Sequence, residues 1–234
     1  MGEFLAVTAF RTPDSEALCA AVARYFSDNG HPAQHVEPAG PQDLSADDAV
    51  VHNPVENWTV VTWPMYMQDG PAVESITAAL ATTASSIRVY DGDYWVHRLV
   101  EHGQTLDRFA SMPDYFAEDP GSEETARLAA DWAGHPDILA AALGVTAADI
   151  APYFVQARPL CDDDDSEEPD EDWGKAFPDD EHDRSDIWVF TDFWRRIGVP
   201  YPQMDPAEGA TTLTRVLRLP PGAALKLPLG TDEL

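Results

Sequence analysis

Apolar runs rich in Tyr, Trp, Val and Leu, broken by polar turns at Asp91-Gly92 and His102-Gly103, predict three consecutive strands along Ile87–Phe109 (IRVYDGDYWVHRLVEHGQTLDRF). Asp-Gly is a hairpin signal because both central residues of such a turn must tolerate positive φ. Upstream, Phe4–Phe10 reads as a short apolar strand. Thr12 and Pro13 then read as the N-cap and first residue of a helix, where a missing N–H costs nothing. Leu18, Cys19, Val22, Tyr25 and Phe26 recur at helical spacing, and Gly30 closes the helix. His31–Leu44 is rich in Pro and Gly and reads as a connecting loop. Ala49–His52 and Trp58–Trp63 are two further strands; the second is apolar on both faces and therefore central. A second helix opens at Gly70-Pro71, with Val73, Ile76 and Leu80 inward.

The resulting β-α-β-β-α-β order, followed by two more strands, resembles a split βαβ or ferredoxin-like arrangement extended by a hairpin. The predicted class is α+β, with a mixed or antiparallel sheet flanked by helices. Residues 1–117 form the sheet domain, and 118–160 a helical segment packed on it. Within that segment Ser122 caps one helix, Pro136–Leu143 forms a second, and Thr146 starts a third. Residues 161–184 are predicted to be an acidic mobile loop, and 185–234 a C-terminal helix and extended tail, all in one compact domain. The C-terminal helix has Ser185 as its cap and Ile187, Phe190, Trp194 and Ile197 on one stripe. Thr212–Leu219 and Ala223–Leu229 are expected to be a final pair of extended segments.

Charge changes this picture from ordinary to distinctive. The chain has a formal net charge of −28, of which Asp162–Asp186 contributes −12 and the rest −16. Such a field repels phosphate backbones and anionic membrane surfaces and favours basic partners. Seven Trp, seven Tyr and nine Phe argue against wholesale disorder. Two cysteines far apart, Cys19 and Cys161, support neither a disulfide framework nor a zinc site. No basic segment precedes the apolar N-terminal run, and no run approaches the length of a membrane span, so the expected location is cytoplasmic.

Chemistry-bearing patterns are sparse. Ile138–Ile150 (ILAAALGVTAADI) has the small-residue and Gly spacing of a helix-turn-helix, but its second helix holds no Lys or Arg and ends at Pro152. Nucleic acid binding is therefore not expected. A calcium loop starting at Asp170 would need Gly where Lys175 stands, so no metal site is assigned. No metalloprotease, nucleophile-elbow, P-loop or dinucleotide fingerprint occurs, and no catalytic residue or cofactor is predicted. His97 and Asp107, with Asp114 and Tyr115 at the exit from the sheet, are the candidate lining of a ligand pocket.

The run Tyr90–Phe116 resembles a group of uncharacterised bacterial proteins through its Asp91–Asp93 turn, Tyr94-Trp95, Gly103, Asp107-Arg108-Phe109 and Pro113–Phe116. Ala176–Pro200, with Pro178-Asp179-Asp180 before an aromatic helix, carries a second part of the likeness. The resemblance implies a bacterial, cytosolic α+β domain and transfers no activity. The expected function is that of a non-enzymatic acidic binding protein, an immunity- or antitoxin-like inhibitor of a basic protein partner. Its candidate partner-binding residues are Asp162, Asp163, Asp164, Asp165, Glu167, Glu168, Asp170, Glu171 and Asp172. The alternatives are a small-molecule or cation-binding protein or enzyme using the sheet face, and an assembly or scaffold component. The sequence leaves the oligomeric state open.

Overall fold

A computed structural model describes residues 4–37, 43–115, 122–157, 173–202 and 215–229. Among them, β1 (Leu5–Phe10), α1 (Ser15–Asp28), β2 (Gln34–Val36), β3 (Asp48–Val51), β4 (Thr59–Thr62) and α2 (Gly70–Leu80) come first. The meander follows as β5 (Thr83–Tyr90), β6 (Tyr94–Glu101) and β7 (Gln104–Ala110). Then come α3 (Glu123–Asp131), α4 (Pro136–Leu143), α5 (Ala147–Ile150), α6 (Val189–Arg196) and β8 (Arg215–Arg218).

These strands make one antiparallel sheet in the order β2-β8-β3-β4-β1-β5-β6-β7. The inner run β3-β4-β1-β5 holds two interlocked split units. β1 and β3, separated in sequence by α1 and the edge strand β2, have β4 between them, and the strands flanking α2, β4 and β5, have β1 between them. The meander extends this centre on one side, and the C-terminal β8 with β2 extends it on the other.

Both faces of the sheet are covered, which is why its central strands are apolar on both sides. On one face, Leu18, Val22 and Phe26 of α1 and Val73 and Ile76 of α2 pack against Phe10, Val61, Trp63 and Leu217. On the other, α4, α5 and α6 bring Leu139, Ile150, Phe190, Phe193 and Trp194 onto Val7, Ile87, Trp95 and Leu99. Fully burying a side chain of this size contributes roughly 1.5–3 kcal/mol. A third, smaller cluster, with Trp132 and Leu128 against Tyr94, Val96 and Ala110, closes the β6–β7 corner on the face that α2 covers.

Four local details differ from the sequence reading. The first helix starts two residues late: Asp14 is its N-cap and accepts the Ala17 N–H, while Thr12 Oγ1 accepts the Asp14 N–H. The connecting loop contains β2, an exposed three-residue edge strand without apolar alternation to announce it. α6 starts at Val189 instead of Ser185, because the Asp186 and Asp192 carboxylates capture the N–H groups of Trp188, Glu181 and His182 and hold that stretch in turns. The segment beginning at Ala223 forms a 3-10 turn over Ala224–Lys226 instead of extending throughout.

Candidate functional site

The nine acidic residues from Asp162 to Asp172 named as partner-binding lie outside the described residues. The four pocket candidates are described, and they fall in three separate places. His97 points from β6 into the core and is fully buried, its Nε2 at 3.0 Å from Ser85 Oγ and its ring edge-on to Phe193. Burial pushes its pKa down to about 3, so the ring is neutral at neutral pH.

Asp107 shares that face of the sheet but meets a histidine other than His97. Its carboxylate accepts the His135 backbone N–H at 3.0 Å and pairs with His135 Nδ1 at 2.8 Å. Asp107 is buried, whereas the His135 side chain is 60% exposed, so a fixed carboxylate orients a solvent-facing imidazole. The same contact secures residues 131–135 along the free edge of β7. There Ala110 N–H donates to Trp132 O, Phe109 bridges Ala133, and Arg108 donates to Asp131 O while lying over the Trp132 ring.

Asp114 and Tyr115 lie at one end of the sheet, beside a polar and aromatic seam on the face that α2 covers. The seam starts at Trp63, whose Nε1 donates to Thr8 Oγ1; that hydroxyl donates in turn to Asp69 Oδ2 at 3.0 Å. Ser86 donates to the same oxygen, and Arg88 Nε lies 3.8 Å from Asp69 Oδ1. Arg88 also donates to Gln68 Oε1 and sits over the Tyr90 ring. Tyr90 stacks on Tyr94, Tyr94 leans on Tyr115, and Tyr115 Oη donates to Asp93 at 2.6 Å. That bond, by holding the phenol proton, raises the Tyr115 pKa. Asp69 and Arg88 are both buried, so each charge relies on the other and on these hydroxyl and amide partners.

Above the seam runs the loop from Pro64 to Gln68. Met65 and Tyr66 are exposed there, and Tyr66 has φ +62. A left-handed backbone at a bulky aromatic residue is an unfavourable conformation that the surroundings must impose. The imposing contacts are the Met65 N–H to Ala46 O bond, the Met67 N–H to Pro64 O bond and the packing of the Tyr66 ring on Phe4.

A second charged cluster is structural in character. Asp180 is buried and accepts from Tyr153 Oη, the Phe177 N–H, Arg195 and Arg196. Arg196 and Arg195 also hold Asp179, which lowers its pKa. Burial alone would raise the pKa of Asp192, but the His182 and Glu181 N–H groups and Arg195 outweigh it and hold the carboxyl below its usual range. This cluster clamps residues 177–182 to α6. The Pro178-Asp179-Asp180 element of the resemblance is thus a folding device here.

Three residues at these places are not signalled by pattern. His135 is 28 positions from Asp107, beyond any motif spacing. Asp69 precedes a helix and reads only as a cap. Arg88 lies in a strand that already holds Thr83, Ser85 and Ser86, so its charge does not stand out and the sequence names no partner for it. Among the described residues, no three His, Cys, Asp or Glu side chains are placed to hold a metal ion, and no helix is long and apolar enough to cross a membrane. Comparison with protein families, with curated proteins and with solved structures gives no match to this chain.

Proposed function

We propose that this chain is a non-enzymatic acidic binding protein that engages a basic protein partner, in the manner of an immunity protein or antitoxin. The observation that supports this reading is the use of the cations. Six arginines, at 88, 98, 108, 195, 196 and 218, are each within ion-pair distance of a carboxylate of the same chain. Arg184 and Lys175 are turned to the backbone carbonyls of Gly174 and Asp180. With these eight of its fourteen cations engaged within the chain, a protein of net charge −28 presents an excess of carboxylates outward. Such a surface steers a cationic partner and rejects anionic ones.

Affinity capture from native lysate at low and at moderate salt tests this reading. A single basic protein, recovered stoichiometrically and released by salt, is the expected result. An empty capture at low salt, or a partner indifferent to salt, would overturn it.

A second reading, a small-molecule enzyme, is favoured by one observation, the Asp107–His135 pair. A buried carboxylate holding an exposed imidazole is an arrangement suited to general-base work. If that reading is right, His135→Gln abolishes turnover of any substrate found while leaving the fold intact.

A further inference from the structure

Resting on the binding reading above, we infer that the end of the sheet around Tyr66 is the face that receives the basic partner, with Tyr66 as the anchor and carboxylates as its rim. The register places these groups together. Leu5 pairs with Val89, Val7 with Thr62, Val50 with Thr62 and Asp48 with Arg218, so one end of the sheet gathers the start of β1, the end of β4, the β5–β6 turn and the start of β3. Met65 and Tyr66 are exposed at that end, which also carries exposed Asp43, Asp91 and Asp93 and half-buried Asp47, whose carboxylate accepts the Gly222 N–H.

Of the two arginines at this end, only Arg218 reaches the rim, where it donates to Asp43 O and faces Asp47, leaving Asp91 and Asp93 as the carboxylates on the opposite side. Arg88 is buried and held by Asp69 and Gln68, and Arg218 is held by Asp48. Binding energy at protein interfaces concentrates in Tyr, Trp and Arg anchors surrounded by a polar rim. An exposed Tyr-Met pair ringed by aspartates therefore fits a partner that offers an apolar pocket bordered by Lys or Arg. The strained backbone at Tyr66 fits this role: at a conformational cost the loop holds the ring against Phe4 with its other side exposed at the end of the sheet. Its foundation is rigid, because Gln68 and Asp69, which end the loop, are tied into the buried seam by Arg88, Thr8 and Ser86.

The test uses the full chain, isotope-labelled, titrated at low salt with a short peptide alternating Arg and Leu. Saturable shifts of the amides of residues 65–68 and 91–94 are expected. Tyr66→Ala should weaken the peptide by about tenfold, and the Asp91→Asn/Asp93→Asn pair by about threefold. Tyr66→Gly provides the control against a merely structural role: glycine accepts the left-handed backbone, so thermal stability is retained while affinity falls as in the alanine variant. Salt-sensitive peptide binding that moves only residues 162–172 and ignores Tyr66→Ala would overturn this face and leave the binding reading standing. Absence of any saturable binding at low salt would overturn both.

Discussion

His97 and His52 are two histidines whose chemistry the fold alters strongly. His97 is enclosed by Ser85, Phe154 and Phe193, and Trp194 donates to the same Ser85 hydroxyl at 2.9 Å. His52 lies buried with Nε2 at 2.9 Å from Thr62 Oγ1. Burial lowers their pKa values from 6.5 to about 3 and about 4 respectively. The unfolded chain therefore binds these protons first as pH falls. The contribution of the neutral rings is complete above the unfolded value and is lost between there and the folded values, by about 1.4 kcal/mol per pH unit for each ring. Urea denaturation from pH 7 to pH 4 should show a slope that the His52→Gln/His97→Gln variant flattens; parallel curves would contradict the assignment. Asp180 is the other decisive residue. Asp180→Ala leaves two guanidinium groups and a phenol without their shared acceptor, and should cost about 3 kcal/mol in the same assay. The sequence marks Asp179-Asp180 only as part of a run, because their partners Arg195 and Arg196 come from a helix 15 to 17 positions away.

At the scale of elements, the strongly patterned pieces were legible: the meander, the apolar central strand β4 and the helices α1 and α2. β2 was not, since three residues with two polar side chains carry no period. The place of β8 was not legible either, because a strand at the C-terminus gives no sign that it inserts between β2 and β3. The cover over the β7 edge was also invisible. Its tight point is Gly134, at φ +73, where an added Cβ would come within 2.6 Å of Phe154 Cδ1 and 3.1 Å of Phe109 Cβ. Gly144 shares the positive φ but faces open space. Gly144→Ala should therefore cost about 1 kcal/mol from the backbone alone, and Gly134→Ala at least about 2 kcal/mol. Equal costs would mean that residues 131–135 yield freely from the sheet edge.

For the molecule as a whole, charge was the feature that composition stated outright, while its arrangement was hidden. Arg218 meets Asp48 across 170 positions, and Arg98 meets Glu74 across 24, so sequence could not tell which cations are consumed. An excess of −28, with six of the arginines held in ion pairs, implies mutual repulsion among surface carboxylates. The melting temperature should accordingly rise as sodium chloride is raised from about 0.01 M to about 0.3 M, over which screening shortens from roughly 30 Å toward the contact range. A melting temperature that is flat or falls with salt would show the surface charge to be already balanced.

Steering by the acidic surface is the central claim, and the association rate of the captured basic partner, measured against ionic strength, tests it most directly. The rate should fall steeply between about 0.05 M and about 0.3 M salt, and neutralising Asp162–Asp165 to asparagine should lower the low-salt rate and shallow its slope. A rate unchanged by salt, and the same in wild type and variant, would contradict it.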